Sequence, residues 1–213
     1  MYIQIVPRLG IRNVLYVACY RILLKSGILS RKFPITRLKA SGEYFRNKRE
    51  VDDYPREWKK NLLGEADNII KGVIPYYSSH WIKQTVPPNW FINPFNGIEC
   101  RNCSMHWTRI SDFRNELGDI KNLWEPSRFS WAGILARAYV VSSNRDYLDA
   151  LNEWIGDWTE KNPVNQGPNW KCGQEASIRV FNLLNAALIL GQIGKPSEPL
   201  IGMIREHLQR IFL

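Results

Sequence analysis

Apolar residues recur at helical spacing throughout residues 126–213. The apolar stripes run over 131–139, 147–158, 176–190 and 201–211. Within each stripe the apolar positions repeat every three or four residues, which is the period of a helix with one buried face. The pattern therefore predicts four helices. The side chains predicted to fill their core are Trp131, Ile134, Ala138, Trp154, Leu184 and Ile204.

Residues that start and stop helices stand between these stripes. Pro126 suits the first turn of the first helix, because a first turn leaves its N–H groups unpaired and proline has none. Asn144 breaks the pattern after that helix, Gly191 ends the third helix, and Ser197 is placed to cap the fourth. The helices form two predicted hairpins whose first members begin about 46 residues apart. That repeat is typical of stacked helix pairs in a solenoid or a closed toroid.

The predicted fold is all-α, built from stacked antiparallel helix hairpins. Stacked pairs need about three or more units to bury their apolar faces, and only two are clear here. The chain also stops at Leu213 within an apolar helical pattern. We therefore expect 61–213 to be a truncated portion of an α/α toroid. An apolar surface left uncovered around 183–190 or 204–213 would favour self-association.

The first third of the chain has a less regular pattern. Five apolar residues at helical spacing, namely Ile11, Val14, Leu15, Ala18 and Ile22, predict an amphipathic helix over 11–27. We expect that helix to pack on the rest of the domain, although such a helix also suits a membrane surface. The pattern predicts an extended or irregular segment over 28–60. A short helix is predicted over 56–71. Prolines and glycines punctuate 75–98, and Asn96-Gly97 predicts a small hairpin.

Charge separates the chain into two parts. Among its 213 residues, 1–60 hold 14 Lys and Arg against 5 Asp and Glu, whereas 61–213 hold 15 of each. A nucleic-acid-binding domain carries its basic face on the folded body, so we expect no nucleic acid as a partner. The basic segment 1–60 instead suits an anionic surface, including peripheral contact with a membrane. No apolar run reaches the ~18 residues of a membrane span.

Four cysteines are too few for a disulfide framework. Cys100, Cys103 and His106 have spacing that resembles a metal site, and Cys172 is a fourth candidate ligand. No second ligand pair is visible, so free structural cysteines are the favoured interpretation. The sequence therefore predicts no metal and no cofactor. It leaves open whether Cys100, Cys103 and His106 bind a metal.

Three polar and aromatic clusters stand at predicted helix starts. They are Trp124–Phe129, Asn165–Trp170, and the pair Glu175 and Arg179, which lie one helical turn apart. Aromatic faces that stack on sugar rings, amides that bond hydroxyls and guanidinium groups that bond carboxylates are typical of a cleft for acidic sugars. The plain alternative is that Glu125 with Arg128, and Glu175 with Arg179, are internal ion pairs between packed helices.

These clusters carry a family resemblance. In order along the chain the matching motifs are Gly-Asp-x-Lys from 118, Trp-Glu-x-Ser-Arg-Phe from 124, Leu-Ala-x-Ala-Tyr from 135, Asn-Pro from 162, Gly-x-Asn-Trp from 167 and Glu-x-x-x-Arg from 175. The stretch over 118–190, with weaker similarity upstream, resembles the N-terminal helical domain of the bacterial heparinase II/III-like polysaccharide lyases.

The resemblance implies an incomplete α/α toroid followed by antiparallel β-sheet domains, and β-elimination on uronate-containing polysaccharide. In such a reaction a residue neutralises the uronate carboxylate, a base removes the C5 proton and an acid protonates the departing O4. The family's Asn-His motif and its catalytic Tyr follow the region matched here, and this chain ends before them. We therefore expect no catalytic residue in it. Seven motif residues are carried over as substrate-binding or cleft-bracing positions: Trp124, Glu125, Arg128, Asn169, Trp170, Glu175 and Arg179.

The sequence is compatible with more than one function. The chain fits the N-terminal domain of a lyase that binds acidic polysaccharide, inactive on its own, or a non-catalytic glycan-binding or scaffold protein. A glycoside hydrolase would need two carboxylates across the scissile bond, but Glu125 and Glu175 each have an arginine nearby that holds them ionised. No cleavable signal peptide is visible, so the default compartment is cytoplasmic, with the periplasm as the family's alternative.

Overall fold

The computed structural model describes residues 10–38, 42–46, 55–101, 103–111, 113–114 and 117–212. The chain is mainly helical, with small two-stranded sheets. Its α-helices are α1 (Ile11–Lys25), α2 (Ile28–Lys32), α3 (Arg56–Ile70), α4 (Lys121–Ser127), α5 (Ser130–Ser142), α6 (Arg145–Lys161), α7 (Gly173–Ile189) and α8 (Glu198–Ile211). Its strands are β1 (Val73–Tyr76), β2 (His80–Lys83), β3 (Ile92–Asn93), β4 (Ile98–Glu99), β5 (Phe113–Arg114) and β6 (Gly118–Asp119).

The long helices form a row with a second layer behind it. Helix α5 packs between α3 and α7, so that α3, α5 and α7 are successive neighbours. Helix α6 packs on α5, and α8 packs on α7. The predicted helix hairpins are therefore present as α5 with α6 and α7 with α8. None of the helices in the described part of the chain combines the length and apolar character needed to cross a bilayer.

Several predicted helix boundaries are confirmed. The Asn144 side chain caps α6 by accepting a 3.0 Å hydrogen bond from the Asp146 N–H, and Ser197 Oγ accepts one from the Leu200 N–H of α8. Gly191 follows α7 with a φ of 68°. The placement of Pro126 in the first turn of the long helix is wrong. Pro126 lies inside the short α4, and α5 begins only at Ser130.

The region over 73–119 folds as short hairpins. Strand β1 pairs antiparallel with β2, β3 with β4, and β5 with β6. The hairpin predicted at Asn96-Gly97 is confirmed by the β3–β4 pair, where Asn93 supports the turn by accepting from the Phe95 N–H. Among the described residues of 28–60, Ile28–Lys32 is helical where an extended or irregular segment was expected, and Tyr44 and Phe45 are buried in the main core.

Tryptophan side chains form the centre of the core. Trp131, Trp154, Trp158 and Trp170 are fully buried. Trp131 meets Trp154 edge to face at 5.0 Å between ring centroids, and Phe129 meets Trp158 at 5.1 Å. Edge-to-face pairs add about 0.5–1.5 kcal/mol each beyond the burial of area. Trp158 also contacts Trp170 at 5.9 Å between centroids, so these rings join α5, α6 and the loop before α7.

Two apolar surfaces stay outside this core. Leu184, predicted to be buried, is exposed on α7, whereas Ile134 and Ile204 are half-buried. Helix α1 also differs from expectation, because none of its residues is buried and its contact with the core is made by Leu24 in its last turns. The other predicted core residues, Trp131, Ala138 and Trp154, are buried as expected.

Candidate functional site

A cleft of about 350 Å³ lies between the β1–β2 hairpin and helices α3, α5 and α7. Its lining residues are Glu65, Pro75, Ser78, Trp81, Glu125, Arg128, Ser130, Ile134, Ile178 and Asn182. The hairpin contributes Trp81, whose side chain is 44% exposed. The cleft thus places an open aromatic face beside hydroxyl, amide, carboxylate and guanidinium groups.

Three charged residues at the cleft form one ion-pair network. Arg128 Nε and Nη2 donate to the two carboxylate oxygens of Glu175 at 2.7 and 2.8 Å, a bidentate pair. Arg128 Nη1 donates to Glu125 as well, and the Tyr77 N–H donates to the other Glu125 oxygen at 3.0 Å. The bond to Glu175 raises the pKa of Arg128 above its ordinary value. One guanidinium therefore bonds two acidic side chains.

An unusual backbone turn sends Arg128 and Phe129 in opposite directions. Phe129 has a φ of 61°, a left-handed conformation that is costly for a bulky side chain. The Arg128 side chain reaches Glu175 at the cleft, whereas the Phe129 ring packs between Trp131 and Trp158 in the core. Asn182 Nδ2 stabilises the turn by donating to the Arg128 carbonyl at 2.7 Å. The aromatic core therefore fixes the position of the guanidinium.

Arg179 is the other predicted binding cation, and it lies away from solvent. Its side chain is fully buried, with the guanidinium carbon 5.1 Å from the Trp158 ring and 5.7 Å from the Trp170 ring. It donates from Nη2 to the Asn169 carbonyl and from Nε to His207 Nε2, each within 2.8 Å. Of the two internal ion pairs in the plain alternative, Glu125 with Arg128 is present. The pair of Glu175 with Arg179 is absent from the described contacts, since Glu175 bonds Arg128 instead.

The remaining motif residues also brace the fold. Trp124 Nε1 donates to the Pro168 carbonyl, Asn169 Nδ2 donates to Asn162 Oδ1, and Trp170 Nε1 donates to the Asn162 carbonyl. Asn169 and Trp170 are fully buried. Of the seven residues carried over, the structure therefore brings Glu125 and Arg128 to the cleft with Glu175 behind them. The other four support the elements that form it.

His207 gives the core a pH dependence. Its Nε2 accepts from Arg179 while its Nδ1 donates to the Met203 carbonyl, so the ring is neutral. Burial, reinforced by the Arg179 charge, lowers the pKa of His207 well below 6.5. As the pH falls, His207 is protonated in the unfolded chain before it is protonated in the folded chain. The free energy of unfolding is therefore highest above pH ~6.5 and declines below it, by up to about 1.4 kcal/mol per pH unit.

We expect the free energy of unfolding to fall between pH 7 and about 5.5, above the range in which carboxylates titrate. Burial also lowers the pKa of His106, which acts in the same direction. Urea unfolding across this range measures the slope. The variant His207→Gln keeps a donor and an acceptor without titrating, so its slope should be shallower. An equal slope in both proteins would contradict the assignment.

The aromatic residues of the hairpins were not predicted as part of a site. Tyr77 has a φ of 51°, and its hydroxyl donates to Asn122 Oδ1 at 2.5 Å. Its ring stacks on Phe95 with 6.2 Å between centroids, and His80 meets Phe95 at 6.4 Å. Burial raises the pKa of Tyr77, and the carboxylates of Asp119 and Glu175 act in the same direction against Arg128. The β1–β2 hairpin matches no motif, and the β3–β4 hairpin lies only in the stretch of weaker similarity upstream of 118, so no local signal singled out these rings.

Cys103 and His106 make hydrogen bonds within the fold. His106 Nε2 lies 2.9 Å from the Phe33 carbonyl and its Nδ1 lies 2.8 Å from Thr108 Oγ1, so both ring nitrogens are engaged. Cys103 Sγ donates to the Cys100 carbonyl. Across the described ranges, no group of three His, Cys, Asp or Glu side chains is arranged to hold a metal ion.

Comparisons of this chain with protein-family models, with curated proteins and with solved structures found no match.

Proposed function

We propose that this chain is the N-terminal helical portion of a heparinase II/III-like polysaccharide lyase, and that its cleft binds a segment of uronate-containing polysaccharide. The observation that carries the proposal is the cleft in which the exposed ring of Trp81 lies beside Arg128, Ser130 and Asn182. Aromatic faces with neighbouring amides and hydroxyls are what a sugar ring requires of a binding site. The lyase family and the uronate polymer rest on the sequence motifs over 118–190.

The arrangement of helices is compatible with part of an α/α toroid. In such a toroid an inner row of helices is backed by an outer row, and here α3, α5 and α7 form a row backed by α6 and α8. The open apolar face of α7 and α8 is where a further helix pair would continue the row. Motif residues such as Asn169 and Trp170 would then hold the inner row in register behind the cleft.

The bonds of Arg128 determine which groups of the sugar the cleft would bind. Arg128 has a bidentate bond to Glu175 and a further bond to Glu125, so it is not a free cation for the uronate carboxylate. Glu125, Ser130 and Asn182, which line the cleft, would instead bind the hydroxyls of the sugar. The carboxylate neutraliser would be supplied by a part of the lyase outside the residues described.

A non-catalytic glycan-binding or scaffold protein is the second candidate. The observation that favours it is the internal engagement of both motif arginines, Arg128 in the ion-pair network and Arg179 in the aromatic core. That arrangement supports a binding surface more readily than a reaction centre. Both candidates place the sugar on Trp81.

The proposal predicts that Trp81→Ala weakens binding of a uronate polymer about 5- to 30-fold, because loss of a stacked aromatic ring costs about 1–2 kcal/mol. Calorimetric titration over a panel of uronate polymers measures the change. Trp58→Ala is the matched control, since Trp58 is 40% exposed on α3 and does not line the cleft. Equal affinities of the two variants, or no binding by the unmodified chain, would refute the proposed site.

A further inference from the structure

Helix α1 presents an apolar stripe to solvent. Ile11, Leu15, Ala18 and Ile22 recur at i, i+4, i+7 and i+11, so they share one face of the helix. The exposed fractions are 72% for Ile11, 58% for Leu15 and 66% for Ile22. Isolated exposed apolar residues are ordinary on a protein surface, but an aligned stripe on a helix without a buried residue marks an interaction surface.

The charge around this stripe has one sign. Residues 1–42 contain eight Lys and Arg and no Asp or Glu. Arg12, Arg21 and Lys25 lie on α1 itself, and Arg31 and Lys32 lie on α2. The long stems of such residues extend along apolar surface while their charged ends reach outward. The surface therefore fits a partner that is apolar inside and anionic outside.

We propose that α1 lies flat on the surface of a bilayer that contains anionic lipid. The aliphatic stripe enters the boundary between headgroups and acyl chains, and the basic residues beside it contact lipid phosphates. At 15 residues the helix is about 22 Å long, a length suited to an orientation in the membrane plane.

Two other occupants fit the surface less well. An acidic polysaccharide would match the basic residues, but Ile11, Leu15 and Ile22 offer no hydrogen bond to its hydroxyls. A second copy of α1 would bring two helices of like charge together. The α7–α8 face of a second copy has Arg205 in its lining and no acidic residue there, so it does not complement a basic helix. An anionic bilayer satisfies both the stripe and the charge.

Co-sedimentation of the full chain with vesicles tests the proposal. We expect binding to phosphatidylcholine vesicles that contain phosphatidylglycerol, weak binding to phosphatidylcholine alone, and a decline with added salt. The double variants Leu15→Asp with Ile22→Asp, and Arg12→Glu with Arg21→Glu, should each weaken binding about tenfold or more. Leu188→Asp, an equally exposed leucine on α7, should bind as the unmodified chain does.

Each remaining outcome would overturn the proposal. Absence of binding to the anionic vesicles, equal binding to both vesicle types, or full binding by either double variant would exclude an anionic membrane surface for α1. If a uronate polymer, and not the vesicles, bound the chain and lost affinity in the Arg12→Glu, Arg21→Glu variant, the basic surface would belong to the polymer. Near-ultraviolet circular dichroism of the tryptophan core reports that each variant is folded. The Trp81→Ala titration tests the cleft separately, so either proposal can fail alone.

Discussion

Replacing Arg128 by alanine should lower the free energy of unfolding by about 3–5 kcal/mol. The side chains of Glu125 and Glu175 are only 8% and 4% exposed, and both bond this one guanidinium. Without it, two carboxylates remain buried side by side with no cation between them. Removal of one partner from a buried network costs far more than the network contributes when intact, because the remaining charges lose both water and their counter-ion.

Arg145→Ala is the matched control for that measurement. Arg145 also contacts two carboxylates, Glu43 and Asp149, but every partner is exposed. Exposed ion pairs are screened by water and contribute little, so this variant should unfold at nearly the same urea concentration as the unmodified chain. Similar losses in the two variants would show that the network at the cleft is not buried as described.

The second large effect concerns the open face of α7 and α8. A groove of about 660 Å³ on this face is lined almost wholly by apolar residues: Leu184, Ala187, Ile193, Pro196, Leu200, Ile201, Ile204, Leu208 and Phe212. Soluble monomers rarely expose apolar surface of this extent. We expect the purified chain to bind a hydrophobic dye and to self-associate as its concentration rises.

Charged substitutions on that face should abolish both properties. Leu184→Lys with Leu188→Lys adds two cations at exposed positions, so the fold should persist while association is lost through like-charge repulsion. Val86→Lys, at an exposed apolar residue far along the chain from α7, is the control and should associate as before. Sedimentation velocity with dye fluorescence measures both properties. A monomer that binds no dye in its unmodified form would contradict this account of the face.

The helices were the most predictable part of the structure. Periodicity over 126–213 identifies α5 to α8, because a helix with one buried face must repeat its apolar residues every three or four positions. The caps at Asn144 and Ser197 are equally local, since each side chain bonds an N–H two or three residues onward. Burial was less predictable: Leu184 fits the stripe, but no described element covers its side of α7.

The cleft depends on contacts between distant parts of the chain. The motif pattern suggests that Glu175 pairs with Arg179, four residues away, whereas the structure pairs it with Arg128, 47 residues away. Spacing along one helix cannot reveal a partner on another. The positive φ of Phe129 likewise follows from core packing and not from local preference. Trp81 lines the cleft, and the Tyr77 N–H bonds Glu125, because strand β1 packs against α3 and α4. No sequence pattern predicts that packing.

The most direct test of the account is the absorbance of the C4–C5 double bond that β-elimination creates. The reaction needs a neutraliser, a base and an acid at one sugar, and Arg128 is occupied by Glu125 and Glu175 while Arg179 is buried. Incubation of the chain with uronate polymers that it binds, beside an intact lyase as a positive control, should give no growth in absorbance. Steady growth from this chain alone would contradict the account, and would make Tyr77 and His80 the first residues to replace.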